Sequence, residues 1–186
     1  MAVTVNNLNA ELLPTRGVDW VTSLTALQGL NANSKPLTKL ESDMSVYASL
    51  TDPANVVAVL KLGGGHIFSK QFEYFQALTL GANNYLRGFR KDRIAGSSLA
   101  YGDVELRVKI CDVHSYIVPG TLGIIGFNDV GRVWIKNEMS RVWHDAYGGG
   151  IYYTPFNLVI ISITSAFSGE ESLYNITIGA RINMTF

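Results

Sequence analysis

The chain has 186 residues, the length of one domain with a single core or a single barrel. Fifteen basic and fifteen acidic residues cancel, so no charge excess points to nucleic acid or a polyphosphate as partner. Hydrophobic residues reach 47% and charged ones only 16%, where a water-soluble domain typically carries ~25% charge. No apolar run approaches the ~18–20 residues of a spanning helix. An apolar chain without a long apolar run fits a membrane β-barrel, whose apolar residues are dispersed at period two. On composition alone a soluble β-sandwich fits almost as well.

In chain order, residues 18–30 place Val18, Trp20, Thr22, Leu24 and Ala26 on one face, with Asp19, Ser23 and Thr25 on the other, the alternation of a strand. Further strands are predicted around 40–50 and 56–62. Val104, Leu106, Val108 and Ile110 alternate with Glu105, Arg107 and Lys109 more cleanly still. In a soluble protein this is a half-buried strand with a wet face; in a barrel it is lipid outside and a polar lumen inside. Strands follow around 122–134 and 147–154, then at Val159, Ile161 and Ile163, and at the end where Ile176, Ile178, Ala180, Ile182, Met184 and Phe186 alternate with polar residues. The predicted fold is all-β: an antiparallel transmembrane β-barrel of about eight strands, one domain over 1–186.

Connections alternate between compact turns rich in Pro, Gly or Asn, at 13–17, 51–55 and 154–157, and longer stretches such as 136–146. Trp20, Tyr47, Trp134, Trp143, Tyr153 and Phe156 fall near predicted strand ends, where aromatic girdles sit. The stretch at about 63–98 is out of scale and holds Phe72, Tyr74, Phe75, Tyr85 and Phe89, too many aromatics for a solvated loop. An extra hairpin or a loop packed into an interior would account for it; a loop folding back into the lumen, where Arg87 would meet carboxylates, is preferred.

Arg87 offers a planar fork suited to bidentate carboxylate binding, and Gly88 would let the backbone turn tightly beside it. Phe127, Asp129 and Gly131 share one strand face by period two. Two readings of the residues stand open: an internal ion pair between Arg87 and Asp129, or an exposed loop arginine and a strand-end aspartate that never meet. Elsewhere the chemistry is thin. His66, His114 and His144 are far apart and in no metal-binding spacing, and Cys111 is the only cysteine. Gly63-Gly64-Gly65 and Gly148-Gly149-Gly150 lack the lysine and hydroxyl residue of a phosphate loop. No catalytic residue, metal or other cofactor is predicted.

Leu86-Arg87-Gly88-Phe89, followed by Phe127, Asp129 and Gly131 in an F-x-D-x-G pattern and by a terminal Phe186, resembles the bacterial outer-membrane protein assembly superfamily of BamA-type insertases, TamA-type barrels and two-partner secretion pores. The resemblance runs from about residue 10 to the end and includes the glycine-rich stretch at 147–151 and the turn at 13–17. It implies half of a sixteen-stranded barrel, in the bacterial outer membrane, with an inward-folded loop whose Arg87 is held by Asp129 and Glu105. Ile182, Met184 and Phe186 would form the terminal strand read by the assembly machinery and one side of a weak seam to which client strands add. Implied partners are the lipid bilayer with its lipopolysaccharide, client outer-membrane proteins and assembly subunits, with homo-oligomers of this half-barrel as a further possibility. The start of the chain lacks a signal peptide, so an exported protein would have to be longer than this. An alternative is a barrel that anchors a patatin-like or phosphoesterase domain encoded upstream. A soluble lipocalin-like barrel that binds a small molecule is weaker.

Overall fold

A computed structural model describes residues 1–28, 36–69, 72–81, 85–135 and 142–180. The protein is one long antiparallel sheet: β1 (Ala2–Leu8), β2 (Gly17–Leu27), β3 (Leu37–Ser49), β4 (Val56–Ile67), then, past a long connection, β7 (Ser98–Val113), β8 (Gly120–Trp134), β9 (His144–Pro155), β10 (Val159–Ser168) and β11 (Ser172–Ala180). Every neighbour in this sheet is also the next large strand in the chain, so the order is a simple meander. The connection between β4 and β7 carries a 3-10 turn at Tyr74–Gln76 and its own two-stranded ribbon, β5 (Leu78–Leu80) paired with β6 (Ile94–Gly96).

The strands run longer than alternation alone suggests. β3 begins at Leu37 rather than near residue 40, and β4 continues through Gly63, Gly64 and Gly65 to Ile67. The long connection therefore begins at residue 68, not 63, because glycines contribute no side chain to the period but their amides still join the ladder with Leu99, Ala100 and Tyr101. β1 adds a ninth strand at one edge; its residues are nearly all exposed and too short a stretch to declare a face. β1 and β11 are the edges of the sheet and do not pair with each other among the described residues.

Register fixes which side chains share a face. Val104 stands beside Leu60 and Asn128, and Ile163 stands between Ile151 and Ile176. This convex face is apolar yet open: Leu60, Leu62, Leu106, Ile124, Ile151, Ile163, Ile176 and Ile178 are all exposed. The concave face carries the buried polar groups Asp103, Glu105, Asp129, Thr154 and Thr164. Apolar outside and charged inside is the arrangement of a sheet with lipid behind it.

The concave side is filled from both ends. The ribbon of the long connection packs Leu78 and Leu80 against Leu99, Tyr101 and Val133, while Leu13 of the β1–β2 turn packs from below on Ile125, Phe127 and Tyr152. Eight strands closed into a small barrel would leave no such space. The sheet stays open and wraps its own loop. Trp20, Trp134 and Trp143 are exposed, with Trp134 and Trp143 set edge to face at 6.3 Å near the rim. Tyr47 departs from the girdle: it stands inward, 5.8 Å beneath the Arg107 guanidinium. Cys111 is exposed beside a bulge in β7.

Candidate functional site

The concave wall at β7 and β8 owes its chemistry to period two. Tyr101, Asp103, Glu105 and Arg107 face inward from β7, and Phe127, Asp129 and Gly131 from β8, with Asp103 paired to Asp129 and Glu105 to Phe127. Three carboxylates on one wall would repel each other, and burial would penalise each charge. Cations from three elements answer them. Lys61 of β4 reaches Asp103 at 3.3 Å, Arg107 reaches Glu105 at 2.6 Å, and Arg87 enters from the loop.

Arg87 uses all three of its guanidinium nitrogens. Nη2 lies 2.6 Å from both Asp129 Oδ1 and Asp103 Oδ1, and Nη1 lies 2.6 Å from Glu105 Oε2. Nε donates to Asp129 Oδ2 at 3.0 Å, and the Arg87 main-chain N–H donates to the same oxygen at 2.9 Å. The guanidinium carbon lies over the Phe127 ring, 3.6 Å from its centre, so the aromatic covers one face of the group. Burial alone would weaken its hold on the proton, but Asp129, Asp103 and Glu105 raise its pKa well above that of a free guanidinium. The Asp129 side chain is 1% exposed, so each half of the pair depends on the other for solvation. A lysine offers one point charge and could not address three carboxylates in this geometry.

The residues around Arg87 set its position. Leu86 is fully buried, and Phe89 is buried edge-on to His144 with ring centres 5.4 Å apart. Gly131 leaves the gap: a Cβ there would stand 2.9 Å from Leu80 of the loop. Gly88 is required for space rather than for a turn. A Cβ on it would meet the Ala146 Cβ at 2.6 Å, whereas the left-handed residues of this segment are Tyr85 (φ 69°) and Asp92 (φ 52°). Tyr85 is held in that conformation by stacking on Tyr101 at 3.8 Å, and the Tyr101 hydroxyl donates to Asp43 on β3. The Tyr101 ring in turn lies over Gly63, and the Phe127 ring over Gly148.

Leu86, Arg87, Gly88, Phe89, Glu105, Phe127, Asp129 and Gly131 thus meet in one place, while Ile182, Met184 and Phe186 lie outside the described residues. Sequence reasoning passed over Asp103, although it sits two residues before Glu105 on the same face. It counted Tyr85, which directly precedes the tetrad, only among the aromatics of the long stretch, and it passed over the partners Tyr101 and Asp43. A cavity of about 440 Å3, lined in part by Lys61, Arg87, Asp103, Asn175 and Thr177, lies beside the ion network. With its charges already paired, the network can hold a loop in place; it presents no nucleophile and base in register for bond-breaking chemistry.

The Omp85 superfamily domain model matches residues 1–166. The chain belongs to the Omp85 superfamily. No curated protein matches the sequence of the chain. Among solved structures, the crystal structure of BamA from Haemophilus ducreyi lacking POTRA domains 1–3 superposes with a TM-score of 0.76 at 16% identity, covering 96% of this chain and 41% of that one. At that identity the likeness is one of fold, and it assigns the sheet to the BamA barrel type. The chain spans well under half the length of that relative. The fold is the antiparallel all-β sheet of an Omp85 membrane barrel, and the wrapped loop between β4 and β7 is where its buried charges converge.

Proposed function

We propose that this chain is the membrane-embedded barrel portion of an outer-membrane protein assembly, insertion or translocation factor, and that Arg87 braces its lumen. The observation that carries the reading is the six-group ion network, in which a loop guanidinium reaches three inward carboxylates on two adjacent strands. Such a network stiffens the middle of the sheet, and its charged groups do not themselves reach the edge strands. The exposed apolar convex face meets the hydrocarbon of the bilayer, in the bacterial outer membrane, with lipopolysaccharide outside. The edge strand β11 lies on the side toward which client strands add by main-chain pairing. Client outer-membrane proteins and assembly subunits are the partners, and the work is binding and a lowered insertion barrier with no bond made or broken.

The test is reconstitution of the whole parent protein into lipid vesicles with an unfolded client barrel, read as the appearance of heat-modifiable folded client. The parent protein accelerates client folding over empty vesicles, and Arg87→Ala lowers that rate while the protein stays in the bilayer. No acceleration by the unmutated protein, or a chain that remains a compact monomer without detergent or lipid, overturns the reading.

A further inference from the structure

The loop does more than sit on β7 and β8. The same turn that anchors there faces, on its other side, the last hairpin of the sheet. The Arg87 N–H and guanidinium point to Asp129 on β8, while its carbonyl accepts a hydrogen bond from Asn175 Nδ2 on β11 at 3.0 Å. The next carbonyl, of Gly88, accepts from the Ser168 hydroxyl at the end of β10 at 2.9 Å. β8 and β11 are separated by two intervening strands, a span of ~14 Å at the usual spacing. One residue of the loop therefore closes that span, and the absence of a Cβ on Gly88 permits it, since a side chain there would also crowd Ser168 Cβ at 3.1 Å.

We propose that Asn175 and Ser168 are positioning residues that tie the β10–β11 hairpin to the main chain of the Arg87–Gly88 turn, so that the loop is a strut between the middle of the sheet and its last described strand. This rests on the reading above of the loop as a lumenal brace. Among the described residues β11 has a sheet neighbour on one side only, so beyond β10 and the rim pairs of the β10–β11 turn its position depends on this strut. The two anchorages differ in kind. The β8 end is made of charge-assisted bonds to a desolvated carboxylate; the hairpin end is made of neutral bonds to carbonyls, roughly half as strong, beside the water-screened rim pairs Arg90–Glu171 and Arg93–Glu170. Under load the hairpin leaves first and the loop stays on Asp129. Away from the screened rim pairs, release and retention of the edge strand then depend on an amide and a hydroxyl whose loss does not touch the ion network.

The experiment uses the whole chain in lipid nanodiscs with Cys111→Ser. Spin labels at exposed Lys91 and Tyr174 report the loop against β11, and labels at Lys91 and Asn128 report the loop against β8. Asn175→Leu and Ser168→Ala, made separately, broaden the first distance distribution and leave the second sharp. Exchange of the β11 amides rises about fivefold in Asn175→Leu, the consequence of losing one net hydrogen bond; it rises further in Ser168→Ala, which also loses the bonds Ser168 accepts from the Glu170 and Glu171 N–H groups, and Ser168→Thr, which keeps the hydroxyl, restores it. An unchanged first distribution in both variants overturns the proposal, as does equal broadening of both. The brace reading fails separately: Arg87→Ala would then leave the Lys91–Asn128 distribution sharp.

Discussion

Along β7 the convex face presents Val104, Leu106 and Ile110, exposed at 57%, 44% and 57%, while one residue out of phase the concave face buries Asp103 and Glu105 to 6% and 4%. The same strand therefore obeys opposite rules on its two sides. A water-soluble sheet hides its apolar face and wets its charged one; here the solvent of the apolar face is hydrocarbon, and the charges are solvated by one another. The contrast also separates two sources of stability. The convex face gains through uniform, non-directional contact with lipid, so any apolar residue of fair size serves there. The concave face gains through directional bonds among a few named groups, where a single change orphans the rest.

The largest expected effect tests that second statement. Asp129→Ala leaves Arg87 without the carboxylate that receives its Nε, Nη2 and main-chain N–H. Breaking a buried pair by removing one partner costs about 3–5 kcal/mol, and the remaining Asp103 and Glu105 hold the figure to the low end. Thermal unfolding of the folded, fast-migrating form in detergent reads the loss. Because Arg87 and Asp129 act as a unit, the double variant with Arg87→Leu loses less than the two single losses combined; strict additivity means that the pair does not form.

Leu60→Arg, on the convex face between Val46 and Val104, comes next. At mid-bilayer an outward arginine costs about 2–4 kcal/mol, falling toward zero near the interfaces. Equilibrium unfolding from lipid vesicles measures it. The substitution sharpens the comparison because a soluble sheet would tolerate the arginine at an already exposed site, so a neutral outcome removes the membrane from behind this face.

How much of this was legible in the sequence follows from the range of each signal. The convex face is written at period two, and β7, β10 and β11 could be read from it directly. β1 could not, since Val3 and Val5 alternate for only two positions before Asn6 and Asn7 break the period, nor could the glycine end of β4, which keeps the ladder without the side chains that announce it. The Arg87 site was legible only as separated pieces: the arginine, the glycine and one inward strand triplet each stood out, but nothing local says that residues 42 positions apart touch. Asp103 was within reach, being in phase with Glu105. Asn175 and Ser168 were not, because a polar residue facing a lumen looks the same whether it meets water or a carbonyl, and their partner is main chain, which carries no sequence signature.

Arg87→Lys keeps the charge and removes the fork. Lysine keeps charge-assisted contact with the carboxylate cluster but loses the fork; the net loss is about 1.5–3 kcal/mol, the worth of one charged hydrogen bond, because its other donors and water from the adjoining cavity restore the rest. The expected loss is smaller than that of Asp129→Ala, and the loop remains inside, so protection of the Leu86 and Phe89 amides from exchange persists. If lysine is as good as arginine by thermal unfolding, geometry has no share in holding the loop and charge alone suffices.

The smallest effect belongs to the rim, where the loop meets the β10–β11 hairpin through Arg90 and Glu171 at 3.0 Å and Arg93 and Glu170 at 3.6 Å. These pairs have the same chemistry as the lumenal network but not its surroundings: the Arg90 side chain is 73% exposed, and water screens what it gains. Arg90→Ala is expected to cost under about 1 kcal/mol, and that residue should vanish in high salt. Asp129→Ala keeps its cost in the same salt, because its partners are desolvated. Thermal unfolding of both variants at low and high ionic strength gives the comparison in one experiment. Equal salt sensitivity would mean that the lumen is as wet as the rim, and the contrast between a screened outer contact and an unscreened inner one would then have no physical basis.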